Sequence, residues 1–189
     1  MRRMHPPRRA QGLTLIELLM FIVVVGIALA AMLRIFITAT TASADPMIRR
    51  QQLAIAESLL REVQLMPFTW CDPTSDANVA TANSTADCAG LLEGMGPEPG
   101  QTRYGPTNYF DNVNDYAGFS MSGIRDLSNT AVAGLSGYTA SVAVAPAALD
   151  TLTAASGDAL KITVTVSGPD SSSLVLQGWR TRYAPTSPY

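Results

Sequence analysis

Gly12-Leu13-Thr14-Leu15-Ile16-Glu17-Leu18-Leu19-Met20-Phe21 opens the stretch that decides how this chain is organised. From Leu13 to Leu33 there are 21 residues, and Glu17 is the single charge among them. At a rise of about 1.5 Å per residue, such a helix spans roughly 31 Å, enough to cross a hydrocarbon core of about 30 Å. A carboxylate at the centre of a bilayer costs about 2.5–3.5 kcal/mol, so Glu17 calls for a partner. Arg2, Arg3, Arg8 and Arg9 precede the run and hold its N-terminal end in the cytoplasm by the positive-inside rule. A cleavable secretory signal would end near Ala42-Ser43-Ala44, yet its apolar region runs to only about 7–15 residues. A plain single-pass anchor, holding an independent periplasmic binding protein at the membrane, is the other ordinary reading.

The order basic leader, Gly12, apolar Leu13, then Glu17 as fifth residue of the chain after Gly12, resembles the start of type IV prepilins and type II secretion pseudopilins. The resemblance covers about the first 35 residues. It implies that a prepilin peptidase cuts between Gly12 and Leu13, N-methylates Leu13, and leaves residues 1–12 as a cytoplasmic leader. A residue without Cβ at Gly12 allows the close backbone approach such a cut needs. It also implies that Glu17 serves assembly, pairing with the N-terminal amine of a neighbouring subunit. The partners implied are other minor and major pilins, the peptidase and an inner-membrane assembly platform. The cell location implied is the inner membrane, with the globular part periplasmic, and then a pilus or pseudopilus.

Loss of the leader changes the charge balance. The chain has 13 basic and 15 acidic residues, and four of the basic ones lie in the leader. The excess of acid falls on residues 67–189, with 11 acidic and 5 basic. An acidic globular part is a poor surface for phosphate backbones, so no nucleic-acid partner is expected. The leader also holds the one histidine, His5. Without it, His-based acid–base catalysis, Ser-His and Cys-His nucleophiles and His-ligated zinc drop out. No paired-carboxylate motif is legible either. We expect no enzyme, no cofactor and no metal site.

After the apolar run the helix is expected to continue to Met66. Ile48, Ile55, Leu59, Val63 and Met66 recur at helical spacing, Leu53 and Leu60 widen the stripe, and Glu57 and Arg61 stand four apart in the favourable order. Asp45-Pro46 suits a helix start, so either the helix bends there or a second one begins. Pro67 ends it. The expected layout is therefore a leader 1–12, a helix 13–66 whose membrane part is 13–33, and a globular domain 67–189.

In that domain Tyr138 to Val144 and Leu160 to Ser167 alternate apolar and polar residues, and Gly168-Pro169-Asp170 turns the chain into a further run, Leu174 to Tyr183. Phe119 to Ile124 is a shorter strand candidate. Alternation describes an antiparallel sheet with one covered face, and the helical stripe is its cover. The fold class is α+β, which is also what the family resemblance implies. Cys71 and Cys88, an even count in an exported domain, point to one disulfide. It would sit just after the helix, not at the C-terminal end where many major pilins carry theirs, which favours a minor subunit. Trp70 and Trp179 read as core or rim aromatics.

Tyr109-Phe110-Asp111-Asn112-Val113-Asn114-Asp115-Tyr116-Ala117-Gly118-Phe119 is similar to a segment of minor pilins from mannose-sensitive haemagglutinin (MSHA) pili. Asp111 to Asp115 offers clustered oxygens, but Val113 stands where an EF-hand loop needs Asp or Asn, and Tyr116 where it needs Gly. Asx-turns account for the cluster more simply.

Overall fold

The computed structural model describes residues 14–183, with residues 38–45 described as backbone only. These residues fall into two compact units that divide between Pro46 and Met47. Helix α1, Leu15–Gln64, is assigned without a break across Pro46, so no second helix begins there. Its last turn closes through Leu65 N–H to Arg61 O at 3.0 Å and Met66 N–H to Val63 O at 3.2 Å. Pro67, which has no N–H to give, stops it.

The second unit is built on one antiparallel meander of four strands: β1 Ser120–Ser122, β2 Thr139–Pro146, β3 Ala159–Ser167 and β4 Ser173–Thr181. Opposite residues include Val142 with Val164, and Val164 with Leu176. The alternation expected from sequence is realised. Ala140, Val142 and Val144 of β2 and Leu160, Ile162, Val164 and Val166 of β3 are buried, while their neighbours on β2 face outward. The same core takes Ile55, Ala56, Leu59 and Val63 from α1. A sheet with one apolar face thus meets a helix with one apolar stripe, the usual way each is desolvated. This is the α+β arrangement expected.

Three details depart from the periodic reading. Leu53 remains 38% exposed, so it does not widen the stripe; Ala56 and Gln52, both fully buried, do. Glu57 and Arg61 lie on the exposed face and form no ion pair among the described residues. Gln52 is a polar side chain inside the core, and it is satisfied in part: its Nε2 donates to Ser172 O at 2.9 Å and to Ser172 Oγ at 3.0 Å. This pins the β3–β4 turn to the helix.

At two glycines, Gly168 and Gly178, an added side chain would run into helix α1. A Cβ on Gly178 of β4 would lie 2.6 Å from Gln64 Nε2 and 3.0 Å from Leu60 Cδ1. One on Gly168 would lie 2.8 Å from Ile48 Cγ2. Between α1 and β1 the chain has little regular structure: two 3-10 turns, Thr85–Asp87 and Val113–Tyr116, and isolated bridges such as Cys71 with Leu92. The Cys71–Cys88 disulfide closes the first part of this segment.

Candidate functional site: the amino-terminal segment and an acidic loop cluster

Gly12 and Leu13 lie outside the described residues. Thr14 precedes the first helical residue and Glu17 completes the first turn, with Glu17 N–H donating to Thr14 O at 3.1 Å and to Thr14 Oγ1 at 3.4 Å. Thr14-Leu15-Ile16-Glu17 has the Thr-x-x-Glu spacing of a capping box, a signal the sequence reading passed over. A carboxylate here also faces the positive end of the helix dipole. From Leu15 to Ile37 the helix is long and apolar enough to cross a membrane. Its large side chains are exposed throughout, from Val25 at 37% to Leu15 at 80%. So much bare apolar surface needs lipid or other helices against it.

In the second unit, Asn112 and Asp115 shape the turn that sequence had singled out. Asn112 Oδ1 accepts from Val113 N–H at 2.8 Å, and Asp115 Oδ2 accepts from the N–H groups of Asp111 and Asn112, both at 2.9 Å. These are the Asx contacts expected. The aromatic residues around them form a packed cluster, with Phe110 and Tyr116 edge to face at 5.0 Å between ring centres.

Sequence spacing could not show that Glu93 and Glu98 arrive beside this turn. One carboxylate oxygen from each of Glu93, Glu98 and Asp111 lies within 4.8 Å of the other two. Burial raises the Glu93 carboxyl above its ordinary range, and the charges of Asp115, Glu98 and Asp111 raise it further. Burial likewise raises Asp115, against the backbone donors of Asn112 and Asp111 that favour its charged form. Glu98 is raised by burial first. Asp76, beside the disulfide, accepts from Asn78 N–H at 2.7 Å and Gly90 N–H at 2.6 Å. Both nearby sulfurs are spent in the Cys71–Cys88 bond, so no thiolate ligand is left there.

Trp70 is half-buried and stacks on the Arg182 guanidinium, which also sits 3.7 Å over the Phe68 ring. Burial lowers the Arg182 pKa to about 10, while Asp158 supports its charge. Trp179 is half-buried on β4, opposite Lys161. Both tryptophans are thus rim aromatics, as their sequence context suggested.

A family model described as the prokaryotic N-terminal methylation motif matches residues 7–33. The match spans Arg8 and Arg9, Gly12 and Leu13, Glu17 and the apolar run to Leu33. Comparison with curated proteins and with solved structures returned no match. The motif supports a type IV prepilin or pseudopilin, a structural family and not one of enzymes. Together with the apolar helix it supports a membrane-anchored pilin. It implies processing by a prepilin peptidase and assembly with other pilins.

Proposed function

We propose that this chain is a minor type IV pilin, a structural subunit that initiates or caps assembly of a thin filament, of the D type found in MSHA pilus biogenesis. The observation that carries the pilin reading is the methylation motif at 7–33 opening an apolar helix whose first turn holds Glu17. In this reading residues 1–12 are removed on the cytoplasmic side, Leu13 becomes the methylated N-terminus, and the second unit stands in the periplasm. Glu17 has an evident partner. In sequence the Leu13 amine stands four residues before Glu17, the spacing of one helical turn, and an α-amine with a pKa of about 7.7–8.0 is mostly cationic at neutral pH. In a bundle of such helices, pairing Glu17 with a neighbour's amine avoids a bare charge in an apolar core and fixes axial register. The finer MSHA assignment is supported by the Tyr109–Phe119 segment, and the minor-subunit reading by a disulfide placed just after the helix.

A minor pseudopilin of type II secretion is the second reading, because the same helix chemistry serves both machines. Mass spectrometry of the mature protein tests the shared part: an N-terminus at Leu13 with one added methyl is expected, and an N-terminus at Asp45 overturns it. A deletion strain separates the two machines. Loss of surface filaments with secretion intact supports the pilus, whereas exoproteins retained in the periplasm would sink it.

A further inference from the structure

We propose that Glu93, Glu98 and Asp111, with Asp115 beside Glu93, form a site for a divalent cation, and that the cation is calcium. The distances allow one ion to serve all three. Calcium–oxygen bonds of about 2.3–2.6 Å let a single ion touch oxygens up to roughly 5 Å apart, and these three lie within 4.8 Å of one another. A second and independent observation points the same way. Asp115 is fully buried beside Glu93, and its Oδ1 receives no backbone N–H, amide or hydroxyl donor. Glu93 Oε2 and Glu98 Oε2 are also buried without partners. Buried carboxylate oxygens are normally satisfied, and each exception asks for an explanation.

The remaining oxygens are held in place. Asn114 Nδ2 donates to Glu93 Oε1 at 3.0 Å and to Gly94 O, which fixes the Glu93 side chain. Asp111 accepts from the Thr74 hydroxyl and, at 3.4 Å, from Gln101 Nε2. Among the described residues no lysine or arginine is ion-paired with this cluster. Arg182, whose charge Glu93 feels, is paired with Asp158 at 3.8 Å and stacked on two rings. Glu98 and Asp111 line an open cleft with Asp72, Thr74 and Gln101, which gives an ion a way in. An all-oxygen, carboxylate-rich set selects hard cations over zinc or copper. Flexible loop ligands suit calcium better than magnesium, which demands near-ideal octahedral geometry. Bound there, the ion would tie the Glu93–Glu98 loop to the Asp111–Asp115 turn in the part of the domain poorest in regular structure.

The test uses the full chain in detergent micelles, stripped with chelator and then given calcium or magnesium chloride at a few millimolar. Calcium should raise the melting temperature by about 5–10 °C and give a saturable calorimetric isotherm, with magnesium doing less. Glu98→Gln and Glu93→Gln should each gain little from calcium. An unchanged melting curve and no binding heat with calcium would overturn the proposal. So would a calcium response in Glu98→Gln equal to the parent's. Equal stabilisation by magnesium would overturn the choice of calcium.

Discussion

Arg103 grips Glu62 of the helix through two parallel hydrogen bonds, Nε to Oε1 and Nη2 to Oε2, each 2.6 Å. Tyr116 Oη donates to the same Glu62 Oε1 at 2.7 Å, and Arg103 Nη1 donates to Arg125 O at 3.0 Å. One helix carboxylate thus gathers the loop before β1, the 3-10 turn at Val113–Tyr116 and the loop after β1. The side chains of the pair are only 6% and 15% exposed, so water hardly screens it. Removing one partner strands the other charge, which costs about 3–5 kcal/mol at a buried pair. Arg103→Ala should therefore lower unfolding stability by that order in denaturant titrations. Replacing both residues by Met should recover most of the loss, and a double variant as unstable as the single would show that the ion pair itself is indispensable.

Gly178 of β4 lies against α1. A side chain there meets Gln64 Nε2 and Leu60 Cδ1, so both side chains must shift to admit it. Gly178→Val is expected to cost about 1–3 kcal/mol, the usual penalty for overpacking. Stability within experimental error of the parent would mean the helix shifts freely on the sheet.

The Cys71–Cys88 bond should be present in protein recovered from the oxidising side of the membrane. Alkylation without reductant should label neither thiol. Cys88→Ser should cost about 3 kcal/mol in the chain-entropy account for a loop of this size, lowering subunit abundance. Full labelling of the unreduced parent would contradict the bond.

Asp76 gives the loop an acid-sensitive clasp. The backbone N–H of Asn78, with that of Gly90, holds its pKa below the ordinary 3.8. A carboxyl whose folded pKa is depressed binds fewer protons in the folded state, so its contribution is complete above 3.8 and is lost as pH falls through the lower folded value. Protection of the Asn78 and Gly90 amides against hydrogen exchange, relative to the unfolded chain at the same pH, should fall below about pH 3.8 and hold steady between pH 5 and 7. In Asp76→Asn that acid step should be absent.

Glu17→Ala should leave cleavage after Gly12 and membrane insertion intact while reducing co-purification with partner pilins. If the variant joins its partners normally and filament numbers are unchanged, Glu17 has no part in assembly.

The regular elements were readable because each has a short period. The alternation through β2 and β3 places Val142, Val144, Ile162 and Val164 inward, and the stripe through Ile55, Leu59 and Val63 follows 3.6 residues per turn. Leu53 misled because hydrophobicity does not fix which flank of a helix is covered, and Gln52 was missed because its burial depends on Ser172, 120 residues away. The Glu62–Arg103 clamp and the meeting of Glu93 with Asp111 are likewise contacts between loops and distant elements. Such contacts leave no local pattern. At the amino terminus the reverse holds: the motif at 7–33 is wholly local, so sequence spoke most clearly where the described structure begins.

The disulfide also has a mechanical side. Cys71 follows shortly after α1, and 17 residue steps separate it from Cys88. A tensile load drawn through the helix would pass from one cysteine to the other across sulfur, bypassing the backbone between them. At about 3.3–3.6 Å per extended residue, roughly 55–60 Å of slack is withheld from stretching. The oxidised subunit is thereby a shorter tether than the reduced one.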